Sequence, residues 1–116
     1  MSATVLIVDD EKTARNFISE ALRDVGFEVA EAGNLKKAHK AIDTGTADII
    51  LLDVMLPDGS GLTLLDRIAR ENPSPPVILI TAHGEVDTAV EAMKKGAKDF
   101  LQKPLDLDRL KQAVES

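Results

Sequence analysis

Thr4-Val5-Leu6-Ile7-Val8-Asp9-Asp10-Glu11 passes in one step from an unbroken apolar run to three consecutive acids. A strand that is apolar at nearly every position is covered on both faces, which is the situation of a central strand in a parallel sheet. The same shape recurs downstream. Asp48–Leu52 (DIILL) ends at Asp53, and Val77–Ile80 (VILI) ends at Thr81. Two more polar runs suit sheet edges: Glu28–Glu31 (EVAE), and Asp99–Gln102 (DFLQ), which ends at Lys103-Pro104.

Segments of helical period separate these runs. From Lys12 to Val25, residues Ala14, Phe17, Ile18, Ala21, Leu22 and Val25 fall on one face, and Gly26 stands where a helix-ending glycine is expected. Asn34 is placed to cap a helix burying Leu35, Ala38, Ala41 and Ile42. The turn-rich Pro57-Asp58-Gly59-Ser60-Gly61 leads to a helix through Leu62, Leu64, Leu65 and Ile68, broken by Pro73, Pro75 and Pro76. A fourth helix is predicted from about Glu85 to Lys95, stopping at Gly96, and a fifth from near Asp106. Five strands alternating with five helices predict an α/β fold, a doubly wound parallel sheet covered on both faces. Periodicity alone leaves the strand order open.

The 116 residues fit one domain with a real core. No apolar run reaches membrane-spanning length and no signal-peptide pattern opens the chain, so a cytoplasmic location is expected. Cysteine is absent, which rules out disulfides and thiolate metal sites. A net charge of −6, with no Trp or Tyr, argues against a surface that grips nucleic acid directly.

Polar residues fall in a telling place. Asp9 and Asp10 follow the first strand, Asp53 the third, Thr81 the fourth and Lys103 the fifth. In a parallel sheet those ends share the carboxyl edge, where open α/β sheets bind ligands. Three carboxylates brought together repel strongly unless a cation joins them. Mg²⁺ prefers oxygen ligands, keeps some waters, and commonly bridges carboxylates to phosphate. Lys103 offers a point charge and Thr81 a hydroxyl donor to phosphoryl oxygens. The set points to phosphoryl transfer governed by position and charge.

Val8-Asp9-Asp10-Glu11, Leu52-Asp53-Val54-Met55-Leu56-Pro57-Asp58-Gly59-Ser60-Gly61, Ile80-Thr81-Ala82 and Lys103-Pro104 together resemble the signature of two-component receiver domains, over the chain from Thr4 to its end. The resemblance implies strand order 2-1-3-4-5. It implies that Asp53 is the phosphoacceptor, Asp10 the main metal ligand, and Asp9 a ligand through water. Met55 would offer Mg²⁺ its backbone carbonyl, and Lys103 would hold the phosphoryl group. Pro104 would follow a cis peptide, and Thr81 and Phe100 would be the switch pair. A sensor histidine kinase would be the donor. The fourth helix, fifth strand and fifth helix (the α4-β5-α5 surface of such domains) would carry the output and support a homodimer.

Thr81–Val90 and Gly96–Leu101 are similar to receivers of NtrC-type regulators, which join a receiver to an ATPase module for sigma-54 transcription and a DNA-binding domain. On that reading residues 1–116 are one receiver domain excised from a longer regulator. A free-standing receiver that signals by protein contact is the alternative.

Other readings of single residues are plainer. The three acids alone would serve as a helix start, Lys103 alone as a solvated lysine, and Phe100 as an edge-strand aromatic. His39, Lys94 and Lys95 are expected at the surface. Met55 and His83 stand where side chains flank the phosphoryl group and could tune water access, although His83 also suits an ordinary loop. A flavodoxin-like carrier would need a Ser/Thr/Gly-rich loop after the first strand, where this chain has acids. A phosphatase acting on external substrates would want an acid two residues after Asp53, where Met55 stands, so no substrate turnover is expected. A degenerate receiver would have lost the acids, the threonine or the lysine.

Overall fold

The computed structural model describes residues 3–71, 74–82 and 86–115. His83 and the expected start of the fourth helix at Glu85 lie outside these residues. The elements are β1 (Thr4–Val8), α1 (Lys12–Asp24), β2 (Glu28–Ala32), α2 (Leu35–Asp43), β3 (Ile49–Asp53), α3 (Gly61–Ala69), β4 (Val77–Thr81), α4 (Val86–Lys94), β5 (Asp99–Gln102) and α5 (Leu107–Glu115). A small antiparallel ribbon, Met55–Leu56 against Gly59–Ser60, is inserted between β3 and α3.

The five long strands are parallel in the order β2-β1-β3-β4-β5. Chain order reverses between β1 and β3, which opens the crevice at the carboxyl edge. Alternation within the apolar strands feeds two cores. Leu6, Val8, Ile50, Leu52 and Leu79 point to the side covered by α2, α3 and α4. Val5, Ile7, Leu51, Ile78 and Ile80 point to the side covered by α1 and α5, against Ile18, Leu22, Leu110 and Val114. A strand that must satisfy both sides has no room for a polar residue except near its ends.

Three strands differ in their bounds from the sequence reading, β2 by running on to Ala32. β3 begins at Ile49 and includes Asp53. Asp48 instead turns its carboxylate to the Thr4 N–H at 2.8 Å, closing the amino edge of the sheet. β4 likewise takes in Thr81. Asp53 and Thr81 are therefore backbone members of the sheet, held by its ladder and not by a loop.

Asn34 and Ser60 cap α2 and α3, accepting from Lys37 N–H at 2.8 Å and Leu62 N–H at 3.2 Å. Gly26, at φ +97°, ends α1 as expected. Two surface assignments need correction. His39 is half-buried, and its Nδ1 lies 2.8 Å from Arg67 Nη1, which also bonds the His39 carbonyl. Lys95 is half-buried and pairs with Asp66 of α3 at 2.9 Å, while Lys94 stays exposed. Both cases join neighbouring helices through side chains whose partners lie 28 and 29 residues away in sequence.

Candidate functional site

The carboxyl edge gathers Asp9 and Asp10 after β1, Asp53 at the end of β3, Thr81 at the end of β4 and Lys103 after β5. Asp9 is fully buried, Asp53 is 7% exposed, and Asp10 is exposed. One carboxylate oxygen from each of the three acids lies within 4.8 Å of the others.

Backbone contacts fix these side chains. The Asp9 N–H donates to the Ala32 carbonyl at 3.1 Å, so the β1–β2 ladder runs up to the acid itself. Asp9 Oδ1 accepts from the Glu11 N–H at 3.0 Å, and Asp53 Oδ1 from the Met55 N–H at 3.1 Å. Gly61 packs on the backbone of the phosphoacceptor candidate. Its N–H donates to the Val54 carbonyl at 2.6 Å, and a Cβ there would run into the Asp53 carbonyl oxygen and stand 3.1 Å from Val54 Cα. The Lys103 N–H donates to the Thr81 carbonyl at 2.8 Å, and the Lys103-Pro104 peptide is cis.

Lys103 Nζ is the hub of the site. It lies 3.0 Å from Asp53 Oδ2, 3.2 Å from Asp9 Oδ2 and 3.2 Å from Glu11 Oε1. Burial works against its charge, but the hydrogen bond and charge of Asp53, then Asp9 and Glu11, outweigh burial and hold its pKa above the ordinary value. At Asp53 burial dominates and pushes the carboxyl up. Lys103 and the Met55 N–H pull it down, and the Asp9 charge adds to the rise. One ammonium is divided among three acids, so Lys103 stays protonated while Asp53 remains under-compensated.

Asp9 Oδ2 makes the deficit local. It is buried and accepts no hydrogen bond, so Lys103 at 3.2 Å gives it charge without hydrogen-bond geometry. A buried carboxylate oxygen in that condition is costly, and a cation on its open side removes the cost. The donor set of Asp9, Asp10 and Asp53 is entirely hard oxygen, which fits Mg²⁺ and does not favour a thiophilic metal.

The remaining sequence candidates take up different places. Met55 holds Asp53 through its N–H while its side chain is exposed. Thr81 is fully buried, and its hydroxyl donates to the Leu101 carbonyl of β5 at 3.4 Å, a long bond that points to β5 and not to Asp53. Phe100 is half-buried against the core formed with α2, α3 and α4. Pro104 lines a groove with Glu11, Ala14, Phe17 and Leu105 beside the acids. Sequence reasoning missed Arg15, whose Nη1 donates to the Asp9 carbonyl at 2.5 Å. It also missed the reach of Glu11 to Lys103. A single arginine in a helix carries no pattern that would single it out.

The sequence model of the family described as the response regulator receiver domain matches residues 5–115. This chain is a receiver domain. It is 44% identical over 109 residues to the response regulator protein PilR of Pseudomonas aeruginosa, covering 94% of this chain but 24% of PilR. To the chemotaxis protein CheY of Listeria monocytogenes it is 43% identical over 112 residues, covering 96% of this chain and 94% of CheY. The receiver domain of NtrX from Brucella abortus superimposes with a TM-score of 0.88 at 37% identity, covering 97% of this chain and 98% of that one. The receiver thus spans about a quarter of the length of one relative and nearly all of another. Its sheet order is the one the resemblance implied. Among the described residues no helix is long and apolar enough to cross a membrane.

Proposed function

We propose that this receiver takes a phosphoryl group onto Asp53 from a phosphohistidine of a sensor kinase, and signals by repacking around Thr81 and Phe100. The observation that carries this reading is the under-compensated acid cluster: a buried Asp9 oxygen without a hydrogen bond beside a nearly buried Asp53 held by Lys103. Asp53 Oδ2 or Oδ1 attacks phosphorus, the P–N bond to the kinase imidazole breaks, and the imidazole leaves with the electron pair. Mg²⁺, when bound, would neutralise the meeting of anionic nucleophile and anionic phosphoryl group. Asp10 and Asp53 would hold it directly, with the Met55 carbonyl, and Asp9 through water.

Lys103 already faces the acceptor oxygen and would follow it to a phosphoryl oxygen. Thr81 would exchange its long bond to Leu101 for the phosphoryl group. That exchange would free the space into which Phe100 turns. The change is a shift between two packings, driven by contacts the phosphoryl group makes in one of them. The protein would turn over no external substrate. The output face would be α4, β5 and α5, where Val90 and Met93 are exposed at 48% and 42%, and a homodimer would form there.

Residues 1–116 would be the receiver of a longer cytoplasmic transcription regulator of the sigma-54 type. The span of about a quarter of PilR and the resemblance of Thr81–Val90 and Gly96–Leu101 support this placement. The near-complete coverage of CheY supports the alternative, a free-standing receiver. Backbone amide spectra recorded before and after acetyl phosphate with Mg²⁺ test the switch. Shifts at Asp53, Thr81 and the β5 residues, reverting as the phosphoryl group hydrolyses, are expected. Shifts confined to the β1–α1 turn would show metal binding without a switch.

A further inference from the structure

Arg15 ties the acid-bearing turn to the edge of the sheet. From the first turns of α1 its Nη1 donates to the Asp9 carbonyl at 2.5 Å and its Nε to Glu31 Oε1 of β2 at 3.2 Å. The side chain is 17% exposed, and a Cβ on Gly33 would sit 3.3 Å from Nη1, so the guanidinium occupies a fitted slot. The Asp9 carbonyl it grips belongs to the peptide that leads directly into Asp10. The other side of that turn is held by the Glu11 N–H on Asp9 Oδ1.

We infer that Arg15 is a positioning residue for the cation site: it fixes the Asp9-Asp10 peptide so that both carboxylates face Asp53. This rests on the reading of the acids as a Mg²⁺ site. Charge alone predicts the opposite sign. A cation near an acidic cluster repels Mg²⁺, so its removal should tighten binding if Arg15 acted only as a charge. Its planar fork, bonding two partners at once, is what a lysine lacks.

The test is a Mg²⁺ titration of wild type, Arg15→Lys, Arg15→Ala and Glu31→Gln, followed by backbone amide shifts, with thermal melts for each variant. Both Arg15 variants should bind Mg²⁺ roughly tenfold more weakly, the low end for groups that orient metal ligands. Glu31→Gln loosens one arm of the fork but also removes an anion, so for this variant the Glu11 amide, and not the affinity, is the readout. In the metal-free variants the Glu11 amide should lose protection while the interior amides of α1 keep theirs. Should Arg15→Ala fail to fold, Arg15→Lys still decides, because it keeps the charge and loses the planar fork. Equal or tighter binding with the Glu11 amide intact would overturn the inference. No Mg²⁺ response in wild type would instead overturn the metal reading on which it stands.

Discussion

Lys103 Nζ lies 3.0 Å from Asp53 Oδ2, although 50 residues separate them in the chain. The contact exists because β3 and β5 flank β4 in register, and both strands end at the same edge. It makes Lys103 the resident cation of a site whose acids could hold a second one. Lys103→Met should therefore tighten Mg²⁺ binding, since a competing charge is gone, while slowing phosphorylation by at least tenfold through loss of transition-state charge stabilisation. A titration and a phosphorylation time course on the same sample separate the two effects. Weaker Mg²⁺ binding in this variant would contradict the picture of a shared anionic site.

Asp53 is held above its ordinary value of 3.8, first by burial and also by the Asp9 charge. A raised carboxyl pKa contributes stability that is fully present below pH 3.8 and is lost as pH rises through the folded value. Asp53→Asn should accordingly raise the melting temperature of the metal-free protein at pH 7 and leave it nearly unchanged at pH 3.5. Added Mg²⁺ should stabilise wild type much more than Asp53→Asn. Scanning calorimetry with and without chelator reads both effects.

Asp58 shows the opposite sign. Its carboxylate accepts the Leu35 N–H at 2.8 Å and the Lys36 N–H at 3.1 Å, capping α2 from the β3–α3 connection. The Leu35 bond is the main cause of its lowered pKa, with the Lys36 bond assisting and desolvation opposing. Stability from this contact is present above pH 3.8 and is lost as pH falls through the lowered value. Asp58→Ala should lower the urea midpoint at pH 7, and the difference from wild type should shrink in strong acid. An unchanged midpoint would mean that Asn34 alone caps the helix.

Gly61 bears on the site through its missing side chain. Gly61→Ala drives a Cβ into the Asp53 carbonyl and towards Val54 Cα, both backbone atoms that cannot rotate away. A cost of about 1–3 kcal/mol in urea unfolding is expected, with weaker Mg²⁺ binding because Asp53 shifts. Wild-type stability in this variant would mean that the turn adapts freely.

The carboxyl-edge site was legible because buried parallel strands tolerate polar residues only at or just past their ends. Asp9, Asp53 and Thr81 thus stand out as the first polar residues after apolar runs, and Lys103 as the cation just past the end of β5. Asp48 looked like the start of β3 because its neighbours are apolar, yet its carboxylate serves Thr4 at the opposite edge. Arg15, His39 and Lys95 were illegible for a common reason. Each acts through a partner at least six residues away in sequence, on another element or on the preceding loop, and helical period describes only the element's own face. Asp58 read as a turn former, and its second use, as a cap on α2, depends on how two loops pack. The direction of the Thr81 hydroxyl is a rotamer choice that no sequence pattern encodes.

The central claim is that Asp53 accepts a phosphoryl group in a reaction that needs Mg²⁺. Intact mass after incubation with acetyl phosphate tests it most directly, with and without Mg²⁺, in wild type and Asp53→Ala. One phosphoryl addition in wild type with Mg²⁺, and none in chelator or in the variant, is the predicted result. A folded wild type that gains no mass, or an Asp53→Ala protein that gains the same mass, would contradict the account.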